Sequence, residues 1–150
     1  MDYASMTPAQ TCARYVALFE QLSPDTIAQL EPLLSESVRF QDPFNDVRGV
    51  AGVRQVLEDM FSRATQPRFS VQHWSVDDNS GYILWTFSAG LPGLGLWQVE
   101  GVSRLVFDTD GRIASHVDYW DAGALYERLP LLGRLLRLIK KRISASGRGA

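Results

Sequence analysis

The chain has 150 residues, 45% of them hydrophobic, and a net charge of −2 from 15 Lys and Arg against 17 Asp and Glu, which fits one soluble domain with a real core. A single cysteine, Cys12, excludes an internal disulfide and a cysteine-built metal cluster. No apolar run of about 18 residues occurs, and the first ten residues lack a basic stretch followed by an apolar one, so neither a membrane span nor a signal peptide is expected and the cytoplasm is the expected location.

Thr7-Pro8-Ala9-Gln10 reads as a helix start, with Thr7 as cap and Gln10 closing a capping box. Cys12, Tyr15, Val16, Phe19 and Leu22 follow on one helical face. Ser23-Pro24 starts a second short helix that turns Ile27 and Leu30 inward, and Pro32 ends or kinks it. Ser37 to Gln41 alternates like a short strand and stops at Asp42-Pro43, and Asn45-Asp46 and Gly49 mark a loop. Val50, Val53, Val56, Leu57, Met60 and Phe61 make a third amphipathic helix. Arg68–Val76, Tyr82–Ala89, Trp97–Phe107 and Arg112–Trp120 are strand-like, and the turn-rich breaks between them predict an antiparallel meander. On this pattern His73 is a surface residue and Trp74 belongs to the outer sheet face.

Residues 122–143 form a basic amphipathic helical segment broken at Pro130 and Gly133, and the last seven residues, SASGRGA, are expected to fray. Charge divides at the same place. Residues 1–121 hold 16 acidic and 8 basic side chains, or −8, and residues 122–150 hold 1 acidic and 7 basic, or +6. The body is therefore not expected to attract nucleic acid. The tail has two readings. Its leucines pack on the domain and cover the pocket mouth, which is the commoner pattern for one such helix, or they lie in weak contact with an anionic membrane surface. The whole is expected to be one domain over 1–143 with a tail at 144–150.

Period two on the last strand puts His116, Asp118 and Trp120 on one face and Val117 and Tyr119 on the other. A pure core face would not carry His and Asp, and a solvated face would not need a tryptophan. A lined pocket explains the mixture. Ser103, Leu105 and Phe107 share a face of the preceding strand, and Tyr15 sits among inward residues with a hydroxyl to satisfy. Trp85 and Trp97 are further ring candidates for the lining. With two histidines far apart in sequence, no metal site is expected.

Three stretches resemble the nuclear transport factor 2-like superfamily, in its SnoaL-like and ketosteroid isomerase-related branch. They are Ala13–Leu18, Val38-Arg39-Phe40-Gln41-Asp42-Pro43-Phe44 with Arg48-Gly49, and Gly101–Phe107 followed by His116-Val117-Asp118-Tyr119-Trp120-Asp121. The resemblance implies an α+β fold of the cystatin-like kind, a cone-shaped curved antiparallel sheet wrapped over N-terminal helices, with an apolar pocket inside. It also implies a homodimer through the outer sheet face, which carries Val106, Val117 and Tyr119. In the isomerase branch the Asp of an Asp-Pro step is the general base and a Tyr of the first helix the oxyanion donor, positions held here by Asp42 and Tyr15. Ser103 stands where that branch has a second acid, a departure from steroid isomerisation. The His116–Asp118 pair is similar to that of dehydratases in the superfamily. Epoxide hydrolases of the superfamily use carboxylates with an Arg instead.

Two functions follow. The first is cofactor-free proton-transfer catalysis, as an isomerase, dehydratase or cyclase, on a small apolar carbonyl or hydroxy compound, with Asp42 as base, Tyr15, His116 and Asp118 as partners, and Ser103, Trp85, Trp97, Phe107 and Trp120 as lining. The second is a non-catalytic domain that binds a small molecule or a protein. They differ in whether Asp42, Tyr15, His116 and Asp118 converge on one cavity.

Overall fold

A computed structural model describes residues 6–145. Residues up to Trp120 form one compact unit and those from Asp121 a second.

The first helix, α1 (Pro8–Glu20), starts with the capping box that its sequence predicts. The Gln10 amide donates to Thr7 Oγ1 at 3.2 Å, and the Thr7 amide donates to Gln10 Oε1 at 2.9 Å. Cys12, Tyr15, Val16 and Leu18 are buried on its inner face. Thr11 Oγ1 donates to the Gly111 carbonyl at 2.6 Å, which ties α1 to a turn 100 residues on. The second helix of the sequence pattern is a 3₁₀ turn, Ile27–Leu33, with Pro32 inside it. Proline has no amide hydrogen to donate and its ring crowds the preceding turn, so it interrupts a regular α-helix here.

Six strands follow with one helix among them: β1 (Leu34–Gln41), β2 (Asp46–Arg48), α2 (Val50–Arg63), β3 (Thr65–Asp77), β4 (Ser80–Leu91), β5 (Gly95–Phe107) and β6 (Ile113–Trp120). Their order in the sheet is β2-β1-β6-β5-β4-β3, so the curled sheet does not close on itself. Strands β3 to β6 are the expected antiparallel meander. The β1–β6 pair is parallel, with Phe40 opposite His116. No hairpin dictates the direction of β1, because it meets β6 only after α2 and the meander intervene. The short β2 lies in the stretch expected to be a loop. Two hydrogen bonds from the Arg39 guanidinium to the Asp46 carboxylate, at 3.0 and 2.9 Å, hold it against β1.

The buried face of the sheet, α1, α2 and the 3₁₀ turn share one core, which includes Leu30, Leu33, Val38, Val53, Leu105 and Ile113. One strand departs from simple alternation. The β3–β4 register slips between Val71 and His73. This bulge shifts the inward parity, so Phe69 and Val71 are followed by Trp74 and Val76 on the core side. Trp74 therefore packs against the core rather than on the outer face, while His73 is exposed as expected.

The second unit holds α3 (Ala122–Tyr126) and α4 (Pro130–Ile143). Asp121 caps α3, its Oδ1 accepting from the Gly123 amide at 2.9 Å. Pro130 opens α4, but Gly133 does not break it. Gly133 is buried, and a side-chain carbon there would run into the Glu127 carbonyl, so the glycine serves close packing of the preceding turn. The expected tail lies, from residue 146 on, outside the described residues. No helix among the described residues is long and apolar enough to cross a membrane.

Candidate active site

Strand pairing alone brings four candidate residues together. On β5 and β6, Ser103 stands opposite Asp118 and Leu105 opposite His116. On β4 and β5, Trp85 stands opposite Gly101. The Trp85 ring occupies the space over Gly101, and any side-chain carbon at that position would collide with it. Tyr15 approaches from α1, the helix tied down by Thr11.

These side chains form one continuous hydrogen-bonded chain. The Trp85 indole N–H donates to Ser103 Oγ at 2.8 Å, and Ser103 Oγ donates to Asp118 Oδ1 at 2.5 Å. His116 Nε2 lies 2.6 Å from the same Asp118 oxygen, and His116 Nδ1 lies 2.7 Å from the Tyr15 hydroxyl. The bonding sense follows from Asp118. An ionised carboxylate only accepts, so Nε2 carries a hydrogen toward it, and on a neutral ring Nδ1 then accepts from the Tyr15 O–H. His116 is 4% exposed and Asp118 13%, so the pair is almost wholly out of water. Burial first, then Asp118 and Cys12 nearby, holds the Tyr15 hydroxyl well above the ordinary phenol range. Tyr15 is thus a proton-bearing group at neutral pH. Burial likewise pushes the Cys12 thiol up to about 12.

Tyr15, Ser103, Trp85, His116 and Asp118 line one small cavity with Val16, Phe19, Phe69, Val71 and Ile83. Its volume is about 20 Å³, room for about one water. Phe19 and Phe69 meet edge to face at 5.3 Å and also border an outer cleft of about 320 Å³.

The sequence of this unit matches a model of the SnoaL-like domain over residues 13–116. The chain belongs to the SnoaL-like domain family. Solved structures agree on the fold. A nuclear transport factor 2-like protein from Burkholderia thailandensis E264 is 14% identical with a TM-score of 0.73, and the match covers 83% of this chain and 99% of that one. A protein of ketosteroid isomerase-like fold from Catenulispora acidiphila DSM 44928, solved in complex with trimethylamine, is 14% identical with a TM-score of 0.68, covering 83% and 96%. A Shewanella putrefaciens CN-32 protein, proposed to be a SnoaL-like polyketide cyclase, is 15% identical with a TM-score of 0.66, covering 81% and 94%. No curated protein matches the chain.

Within this SnoaL-like domain the other candidates stand apart from the cavity. Asp42 is half-buried in the turn after β1. Its Oδ1 accepts from the Phe44 and Asn45 amides, both at 2.7 Å, and the Asn45 side-chain amide donates to both carboxylate oxygens at 3.0 Å. That is a local turn cap. Trp97 and Trp120 belong to a file of rings, Phe44 to Trp120 at 5.4 Å, Trp120 to Trp97 at 5.4 Å and Trp97 to Phe87 at 6.1 Å. Phe107 is buried at the far end of β5, where its ring lies over Gly81. Val16, Phe19, Phe69, Val71 and Ile83 are not among the expected lining. Alternation on β3 and β4 could have supplied the last three, had the faces of those strands been assigned. Among the described residues no group of three His, Cys, Asp or Glu is placed to hold a metal ion.

Proposed function

We propose that this SnoaL-like domain catalyses cofactor-free proton transfer on a small, largely apolar carbonyl or hydroxy compound, with His116 rather than Asp42 as the base. The observation that supports this reading most is the hydroxyl–imidazole–carboxylate order Tyr15–His116–Asp118, buried and facing one cavity. The step balances in protons. A ligand C–H or O–H proton passes to the Tyr15 oxygen as the Tyr15 proton passes to His116 Nδ1. The resulting imidazolium is held by Asp118, whose other donor, Ser103, fixes the carboxylate in place. The reverse transfer protonates the product at a different atom, or protonates a leaving hydroxyl. The raised Tyr15 pKa argues for transfer in one motion, without a free phenolate. The cavity of about 20 Å³ holds no more than about one water, so a larger ligand needs its lining side chains to move.

The test is a screen of α,β-unsaturated ketones and β-hydroxy ketones, followed by turnover of variants. His116→Gln is expected to lose about 10²–10⁴-fold in rate, and Asp42→Asn little. Full turnover by His116→Gln would overturn the assignment of the base.

One observation favours a second reading, a non-catalytic domain. Trp85, Ser103, Asp118, His116 and Tyr15 already satisfy one another, as a structural network does. On that reading every compound of the screen is left unchanged, and Tyr15→Phe alters stability alone.

A further inference from the structure

The second unit carries an apolar face that the proposed reaction does not use. Successive residues of α4 turn by about 100°, so Leu131, Leu132, Leu135, Leu138, Ile139 and Ile143 fall within one arc of about 140°. They are all exposed, from 40% at Leu132 to 81% at Leu131. Arg134, Arg137, Lys140 and Lys141 take the opposite arc, and Arg142 lies in the last turn, inside the apolar arc. The helix itself, residues 130–143, contains no acidic residue. Two cations serve the fold of the unit. Lys140 pairs with the Glu127 carboxylate at 2.6 Å, and Arg137 donates to the Glu127 carbonyl at 2.9 Å. Arg134, Lys141 and Arg142 lie outside those bonds.

Each class of occupant must complement both the leucines and the cations. Nucleic acid offers phosphates but nothing for an aliphatic stripe. An anionic bilayer offers both in the same plane: its acyl boundary takes Leu and Ile, and its headgroups take Arg and Lys. Arg142 suits this arrangement, because its aliphatic stem can run along the apolar face while the guanidinium reaches the headgroups. The helix has 14 residues, a length of about 21 Å against a hydrocarbon core of about 30 Å, so it lies in the surface rather than across it. We infer that α4 seats the protein on an anionic lipid surface.

Co-sedimentation of the full chain with vesicles tests this. One set is phosphatidylcholine alone, and the other contains about 30% phosphatidylglycerol, both at about 0.1 M salt. The expected result is partition at least about tenfold stronger on the anionic vesicles. Leu135→Ser with Leu138→Ser should lower that binding about tenfold or more. Arg134→Gln with Lys141→Gln and Arg142→Gln should remove the preference for anionic lipid. Near-ultraviolet circular dichroism reports that each variant keeps its fold. Equal partition on both vesicles, no partition on either, or variants that bind like the parent chain would overturn the inference. So would self-association in lipid-free sedimentation that the leucine variants abolish, since the face would then belong to a second copy.

Discussion

Two carboxylates of the same domain, Asp118 and Asp42, each accept several hydrogen bonds, yet their donors differ in kind. Asp42 accepts from two backbone amides and one side-chain amide of its own turn. None of those amide donors acts as an acid or a base near neutral pH. Asp118 accepts from an imidazole and a hydroxyl brought in by strand register, and the imidazole connects onward to a phenol. A carboxylate's role is set by what it holds. Asp42 holds a chain reversal, whereas Asp118 holds a titratable ring in one orientation.

Replacing each acid is the sharpest way to break that contrast. Asp118→Ala leaves the His116 and Ser103 donors buried without an acceptor and should cost about 2–5 kcal/mol in urea unfolding. Asp42→Ala should cost about 1 kcal/mol, the scale of a lost cap. Equal losses would dissolve the distinction. Gly101→Ala puts a methyl group into the Trp85 ring and should cost about 1–3 kcal/mol, with a shift in tryptophan emission as the indole leaves Ser103. An unchanged spectrum would mean that Trp85 is not held as described. Tyr15→Phe removes one donor from His116 and should cost about 1 kcal/mol. The pH dependence sharpens the interior side alone. The Cys12 thiol ionises near its ordinary value of 9.0 when unfolded, but burial delays this to about 12 when folded. Above pH 9 the unfolded chain therefore binds fewer protons than the folded one, and stability falls as pH rises toward 12. The raised Tyr15 pKa adds to the same fall from about pH 10 upward. Melting curves at pH 8 and pH 10 should show the drop, and Cys12→Ala should reduce it by up to about 1.4 kcal/mol at pH 10.

Much of the interior was open to reading from the residues. The capping box at Thr7 and Gln10 is local chemistry, and local chemistry is what a sequence states directly. Period two put His116 and Asp118 on one face and Ser103 inward, and these readings match the observed pairing. Asp42 shows the opposite case. An Asp before Pro in a loop is the same string whether its carboxylate faces a cavity or its own turn, and only backbone direction decides. Trp74 needed the extra residue at the β3 bulge, which no alternation rule announces. Gly133 looked like a helix break because a glycine's packing role depends on a neighbour six residues back, Glu127. The parallel β1–β6 pair has no turn between its strands, so its direction is a property of the whole fold.

That pairing has a consequence in time. Hairpins β3–β4, β4–β5 and β5–β6 join segments near in sequence, but Phe40 meets His116 across 76 residues and Tyr15 meets it across 101. Contacts of such separation close late and at high entropic cost. On a ribosome α1 can meet β3, as Phe19 meets Phe69, before β6 has emerged, but Tyr15 finds His116 only once β6 is out. The hydrogen-bonded chain from Trp85 to Tyr15 is thus completed by the strand that joins β1 to the meander. A newly made copy therefore completes its sheet and this chain of side chains together, once residue 120 is released.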